Sequence, residues 1–313
     1  MAILVTGGAG FIGSNFCNKI SKNNEIIVVD KLSYAADIRN LEIDEKNITF
    51  HKGDILEIDF LDSIVKKNNI KTLVNFAAET HVDNSILNPE IFLKTNIIGV
   101  ANILENCMKY EIENFIQIST DEVYGSIENG LANEESKINP SSPYSASKAA
   151  ADLIIQSYFK TFGVRSKIIR LSNNYGPAQF DEKLIPYLIK SLAKGTKIGI
   201  YGDGLNIREW IFVDDAVDGI IEVMKNGFSD EIYNISSGVF RNNLEVLETI
   251  SSTLGIKNPN FEFVEDRKGH DFRYAISSKK MHHEFGWKAK VDFNDGIEKT
   301  VDWYKRRRSW WSH

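Results

Sequence analysis

Short apolar, β-branched runs recur through the first part of the chain: AILVT at 2–6, EIIVVD at 25–30, a run at 47–51, TLVNF at 72–76 and FIQIS at 115–119. Runs of this length bounded by turn residues predict buried strands. Between them lie amphipathic stretches such as 11–21 and 90–110, which predict helices. Strand–helix alternation of this kind predicts an α/β fold, a doubly wound parallel sheet with helices on both faces. The order changes near residue 173, where NNYGP is rich in turn formers and short strands and helices follow without regular alternation. The pattern therefore predicts a first domain over 1–172 and a smaller mixed α/β lobe over 173–313, with some chain crossing back. No flexible linker separates them, so a shared cleft is expected, a common place for a ligand.

Composition narrows the partners. The 313 residues are 42% hydrophobic and 26% charged, an ordinary globular balance with enough apolar residues for a sizeable core. A formal net charge of -6 argues against nucleic acid and anionic membrane surfaces. Cys17 and Cys107 are too few and too far apart for a disulfide framework or a metal-ligand pattern, and a reducing, cytoplasmic setting is expected. MAILVTGGAGFIG lacks the basic lead of a signal peptide, and no uncharged apolar run approaches the roughly 20 residues of a membrane span. His282 and His283 are neighbours on one stretch and do not share a helical face, so no metal is expected. Lys305 to Arg308, followed by Trp310 and Trp311, reads as a solvated helix end or a docking tail.

The first turn carries the cofactor signal. TGGAGFIG at 6–13 follows a predicted strand and opens a predicted helix. Gly8, Gly10 and Gly13 satisfy G-x-G-x-x-G, and Gly7, Gly10 and Gly13 satisfy the related G-x-x-G-x-x-G. Glycines there permit a tight turn and close approach of a pyrophosphate to a helix N-terminus. Asp30 ends the second strand, where an acidic group hydrogen-bonds ribose hydroxyls and repels a 2′-phosphate. That favours NAD over NADP, an inference softened by Lys31 next to it. Asp54 and Ile55 follow the third strand, and Ala77, Ala78 and Glu79 the fourth, at the strand ends where ligands bind in such folds.

Two further segments carry candidate chemistry. Tyr144 and Lys148 in PYSASKAAAD have the Y-x-x-x-K spacing that places both on one helical face, so an ammonium can favour the phenolate. STDEVYG at 119–125 directly follows the fifth strand. Its Thr120, Asp121 and Glu122 supply a hydroxyl and adjacent carboxylates, and paired carboxylates in a cleft tend to divide into one acid and one base.

With these segments in view, the chain resembles an extended short-chain dehydrogenase/reductase with a Rossmann-type sheet, and specifically the dTDP-glucose 4,6-dehydratases. The resemblance rests on VTGGAGFIGSNF, VVDKLSYA, NFAAETHVDNS, STDEVYG, YSASKAAAD, RLSNNYGPAQFDEKLIP, IYGDGLNIREWIFVDD and DRKGHDFRYAI, running from residue 5 to about 276. It departs at Asn84, where the dehydratases usually have arginine, and at Lys268, where they usually have proline. It implies an NAD-dependent lyase that removes water from a nucleoside-diphosphate-hexose in deoxysugar biosynthesis. Tyr144 would take the 4-hydroxyl proton, Thr120 would hold that oxygen, and Lys148 would hold the ribose and lower the tyrosine pKa. Glu122 would remove the C5 proton and Asp121 would protonate the departing 6-hydroxyl.

The same resemblance implies the binding residues. Phe11, Ile12, Leu32, Ser33 and Thr95 join the cofactor set already named, with Asn174 on its nicotinamide side. His81, Asn173, Lys183, Leu184, Gly199, Ile200, Tyr201, Arg208 and Asn243 would contact the sugar nucleotide, as would Asp266, Arg267, Lys268, Gly269 and His270. A homodimer through helices near 90–110 and 144–162 is also implied. Two alternatives stay open: another sugar-nucleotide enzyme of this fold, such as an epimerase, against which Asp121 and Glu122 argue, and a non-catalytic NAD-binding regulator. The nucleotide base stays open among thymidine, uridine and cytidine.

Overall fold

The computed structural model describes residues 2–43 and 47–307; Arg308, Trp310 and Trp311 of the tail lie outside the described residues. The first part runs β1 (Ala2–Thr6), α1 (Phe11–Ile20), β2 (Glu25–Asp30), β3 (Ile48–Lys52), α2 (Ile58–Asn68), β4 (Thr72–Asn75), α3 (Val82–Leu87), α4 (Pro89–Leu93), a π turn at Lys94–Ile98, α5 (Gly99–Lys109), β5 (Asn114–Thr120), a short 3-10 turn at Asp121–Tyr124, α6 (Pro143–Phe162) and β6 (Ser166–Leu171). The second part adds β7 (Asn173–Tyr175), α7 (Leu184–Lys194), β8 (Ile198–Tyr201), β9 (Ile207–Phe212), α8 (Val213–Asn226), β10 (Glu231–Ile235), β11 (Phe240–Asn242), α9 (Asn243–Thr253), β12 (Phe261–Val264), α10 (Lys279–Phe285) and α11 (Phe293–Arg306).

The main sheet has seven strands in the order β10-β6-β5-β4-β1-β2-β3, and every pairing in it is parallel. It is a Rossmann-type doubly wound sheet with a smaller mixed lobe beside it. Side chains alternate across a strand, so neighbours serve opposite faces. Ile3 and Val5 pack with α1 and α8 on one face, and Ala2 and Leu4 pack with α2, α5 and α6 on the other. Both faces are covered, which is why these strands read as unbroken apolar runs. The strand order reverses between β1 and β4, and a cleft opens there outside the strand ends.

The later chain does not form a wholly separate body. β10 returns to pair with β6 in the main sheet, and α8 and α10 pack on it. The remainder builds a third core, in which α7, α9 and α11 surround the sheet β11-β9-β7 and the pair β12-β8. The stretch 90–110, read as one amphipathic run, is two α-helices joined by the π turn. An extra residue in one turn of helix is invisible to an apolar spacing and frequently marks a functional position.

Candidate functional site

A cleft of about 290 Å³ lies at the carboxyl ends of the parallel strands and is closed on its far side by the 172–183 segment. Its floor follows from the glycine turn. Gly7 has φ +71, and an added Cβ would come within 2.4 Å of the Ala77 nitrogen, so only glycine fits. Gly10, the N-cap of α1, is different: a Cβ there meets nothing nearer than the Gly7 carbonyl oxygen at 3.4 Å. The chain itself does not require glycine at position 10, and the space beside it suits a pyrophosphate at the helix N-terminus. Asp30 is fixed at the end of β2, accepting hydrogen bonds from the Ala9 and Leu32 amides at 3.0 and 2.8 Å.

Further along the cleft, Thr95 Oγ1, Ser172 Oγ, Asn173 Oδ1, Asn174 Oδ1 and Gln179 Oε1 line it, buried and without a hydrogen-bond partner in the chain. Buried polar atoms are nearly always partnered, so this row fits a polar ligand. Together with the glycine floor and Asp30 it fits a dinucleotide lying across the strand ends.

The catalytic candidates meet at the other end. β5 delivers Thr120, whose hydroxyl caps the Asp121–Tyr124 turn, accepting from the Glu122 amide at 3.3 Å and donating to Asp121 Oδ1 at 3.2 Å. Ser142 and Ser145 form a reciprocal capping box that fixes the start of α6, and Tyr144 and Lys148 face the cleft one turn apart. Burial pushes Tyr144 well above the usual phenol range and the Glu122 carboxylate adds to the rise, while a hydrogen bond with Thr120 opposes it. Burial also pushes Lys148 down to about 8, against the pull of Asp152. The Lys148 ammonium donates to the Ile118 carbonyl at 2.6 Å.

The adjacent carboxylates have different surroundings. Burial holds Asp121 well above the usual carboxylate range, and Glu122 and the buried Glu209 raise it further. Glu122 is also raised by burial, but Arg267, Arg208 and Lys183 pull it back. Its Oε2 lies 3.4 Å from the Tyr274 hydroxyl, which donates to Asp271 at 2.8 Å. Asp121 thus faces carboxylates while Glu122 faces two guanidinium groups and an ammonium, an asymmetry of the kind that separates an acid from a base.

Of the residues named from sequence, Gly7, Gly10, Phe11, Ile12, Gly13, Asp30, Lys31 and Ser33 line this cleft, as do Asp54, Ile55, Ala77, Ala78, Thr95, Tyr144, Lys148 and Asn174. So do Thr120, Asp121, Glu122, Asn173 and Lys183. Leu32 packs against the core, with φ 55, and Glu79 lines an adjoining recess instead. The other substrate candidates stand outside the cleft lining. His81 caps α3, Leu184 and Asn243 begin α7 and α9, and Ile200 turns into the third core while Gly199 and Tyr201 take the opposite face of β8. Arg208 lies over the Tyr274 ring at 4.3 Å and donates to the Ile207, Asp271 and Phe272 carbonyls. Among Asp266, Arg267, Lys268, Gly269 and His270, the His270 ring pairs with Asp266 at 2.6 Å, and Arg267 Nε is buried without a partner. Arg267, Arg208 and Lys183 lie within electrostatic reach of Glu122, and His81 within reach of Lys183 and Arg267, a basic flank that suits a diphosphate.

Sequence reasoning missed Glu209, Asp271, Tyr274, Gln179, Phe180 and Glu182. Tyr274 and Asp271 sit in the quoted DRKGHDFRYAI segment and Glu182 directly precedes Lys183, but nothing in their spacing signalled a role. Among the described residues, no group of three His, Cys, Asp or Glu could hold a metal, and no helix is long and apolar enough to cross a membrane.

This geometry can be set beside known proteins. Residues 4–300 match the family model described as GDP-mannose 4,6 dehydratase. The dTDP-glucose 4,6-dehydratase of Streptomyces antibioticus is 41% identical, over 99% of this chain and 94% of that one. The low-salt glycan biosynthesis protein Agl12 of Haloferax volcanii is 44% identical, over 97% of this chain and 98% of that one. The crystal structure of DesIV, a dTDP-glucose 4,6-dehydratase from Streptomyces venezuelae solved with NAD bound, superposes with a TM-score of 0.97 at 40% identity, covering 100% of this chain and 99% of that one. Those matches span nearly the whole chain, and the chain belongs to the GDP-mannose 4,6 dehydratase family.

Proposed function

We propose that this enzyme is a nucleotide-sugar 4,6-dehydratase that converts dTDP-glucose to its 4-keto-6-deoxy product with bound NAD, and that Thr120, Asp121, Glu122, Tyr144 and Lys148 carry the chemistry. The observation that carries this reading is the meeting of a Tyr–Lys pair and two differently surrounded carboxylates at one end of a dinucleotide-shaped cleft. An enzyme that only oxidises and reduces C4 needs the first pair; elimination of water also needs an acid and a base.

The glycine floor, Asp30 and the row of unpartnered polar atoms would hold NAD, with Asn174 and Lys148 toward its reactive end. When bound, NAD supplies the oxidant that makes C4 a ketone and the reductant that later saturates C6. Tyr144 accepts the proton of the 4-hydroxyl, and Thr120 holds the same oxygen. Lys148, one turn along α6, is the cation able to offset the phenolate. The ketone acidifies C5–H, and Glu122, drawn toward ionisation by Arg267, Arg208 and Lys183, takes that proton. Asp121, kept protonated by burial, donates to the leaving 6-hydroxyl, which departs as water; the proton taken by Glu122 returns to C5 as C6 is saturated, and the proton taken by Tyr144 restores that of Asp121. The basic flank of Arg208, Arg267 and Lys183 holds the diphosphate, with His81, Asn173, Tyr201 and His270 around it.

Exposed Leu93, Ile98 and Met108, with Leu153 and Phe162 of α6, support pairing of two copies through the α4–α6 face. Two free, buried cysteines suit a reducing, cytoplasmic setting.

The test is mass spectrometry of dTDP-glucose and UDP-glucose after separate incubation with purified protein and no added NAD. Loss of one water from dTDP-glucose, faster than from UDP-glucose, is expected. No loss from either, even with NAD supplied, would refute the assignment for these sugars.

A further inference from the structure

The residue that follows Asp30 raises a question of cofactor choice. A lysine at the end of β2 is placed to meet a ribose 2′-phosphate, and by itself it argues for NADP as readily as Asp30 argues against it. We propose that Glu79 decides the matter: by holding the Lys31 ammonium in an ion pair, it withdraws the cleft-lining cation next to Asp30 from a 2′-phosphate, and so restricts the cleft to the unphosphorylated dinucleotide. This rests on the NAD reading above and adds to it the residue that enforces the choice.

Three observations carry the inference. Lys31 Nζ donates to Glu79 Oε1 at 2.7 Å, with Asp54 Oδ2 on another side at 3.8 Å. Glu79 is a fixed counter-ion: its amide donates to Asn96 Oδ1 at 2.9 Å, its carbonyl accepts from Asn96 Nδ2 at 3.0 Å, and that amide group also reaches Ser147 Oγ on α6 at 2.9 Å. The other two lysines of the cleft bond to carbonyls away from Asp30, Lys148 to Ile118 and Lys183 to Thr80. Around the end of β2 three carboxylates, Asp30, Asp54 and Glu79, surround the Lys31 ammonium; Lys52, opposite Asp30 on β3, is exposed and does not line the cleft. A phosphate monoester carrying close to two negative charges meets net repulsion there, whereas ribose hydroxyls can donate to Asp30. Glu79 comes from the loop after β4, not from the strand that bears Asp30. The determinant is therefore invisible to a reading of the β2 end alone.

The experiment measures binding rather than turnover. Cofactor-depleted protein is titrated with NAD and with NADP by calorimetry, and the ratio of the two dissociation constants is compared among wild type, Glu79→Gln, Lys31→Met and the double variant. Freeing Lys31 in Glu79→Gln should shift the ratio toward NADP by about tenfold, the size of one exposed charge-assisted contact. The double variant should lose that gain. Lys31→Met should leave the ratio within about threefold of wild type, because in wild type Lys31 gives nothing to the 2′ position. A folded Glu79→Gln protein with an unchanged ratio overturns the proposal. So does a Lys31→Met protein whose NADP affinity falls tenfold while NAD affinity holds, and that arm decides alone if Glu79→Gln does not fold. Failure of wild type to bind either dinucleotide is a separate outcome: it removes the cofactor reading, and this proposal with it.

Discussion

The two sides of the cleft are built from different materials. On the cofactor side the determinants are backbone and short side chains. The Gly7 amide donates to the Val29 carbonyl at 2.8 Å, Asp30 is pinned by two amides, and Thr6, Asn75 and Gln117 form a buried hydrogen-bonded row beneath the strand ends. On the reaction side the determinants are long charged side chains brought together from β5, β9 and the 266–274 segment: Glu122, Arg208, Arg267, Asp271 and Tyr274. A site made of backbone fails by loss of shape, and a site made of side-chain charges fails by loss of the right charge. Substitutions on the two sides should therefore damage different observables.

The largest effect belongs to the reaction side. Glu122→Gln keeps the size and polarity of the side chain and removes the base. It should lower kcat by about 10²–10⁴-fold, the usual worth of a positioned proton acceptor. NAD binding and the melting temperature should stay near wild type. Steady-state rates with dTDP-glucose and a thermal melt read both quantities. A loss below tenfold would remove Glu122 from the role of base, and a large fall in NAD affinity would blur the division between the two sides.

Next in size is a pair of substitutions on the cofactor side. At Gly7 an alanine must adopt a left-handed conformation and meets the Ala77 backbone at 2.4 Å. Gly7→Ala should cost about 2–5 kcal/mol of stability, combining the left-handed penalty with overpacking. Gly10→Ala meets no atom closer than 3.4 Å, so the apoprotein should keep its stability while the added methyl group fills space reserved for the cofactor. Denaturant unfolding of the apoprotein together with NAD titration separates the two. Equal stability losses would mean that position 10 is a packing glycine and not part of a cofactor cradle.

The same division explains what the sequence revealed. Strands β1 to β6 are legible because parallel strands buried on both faces leave unbroken apolar runs, and the glycine turn is legible because its shape demands glycine. The Thr120–Glu122 segment is legible as adjacent carboxylates at a strand end that faces the cleft. The π turn is not, since a period of 3.6 carries no mark of one extra residue. Nor is β12, whose residues Phe261–Val264 are all exposed and pair along one edge with β8. The anchoring of Arg208 is not legible either: its stacking on Tyr274 and its bonds to the Asp271 and Phe272 carbonyls depend on a contact across more than 60 positions of chain, which no local pattern encodes. Asp271 and Tyr274 are unreadable as partners of Glu122 for the same reason.

The smallest expected effect is also the sharpest test of charge as the reaction side's currency. Asp271 accepts from Ser141 and from Tyr274, and its negative charge raises the Glu122 pKa. As the proposed base Glu122 would act in its ionised form, so activity should fall as pH drops through its pKa, which burial has lifted above the ordinary carboxylate value. Replacing Asp271 with asparagine keeps a polar group of the same shape and removes one negative charge. Glu122 then ionises more readily, and the acid limb of kcat/KM should move to lower pH, with little change in the plateau if the substituted amide still orients Tyr274. The profile of Asp271→Asn against wild type, measured with dTDP-glucose across the acid range, gives the direction directly. A shift to higher pH would mean that Asp271 acts on Glu122 mainly by orienting Tyr274 to stabilise its anion, so that geometry rather than charge governs this flank.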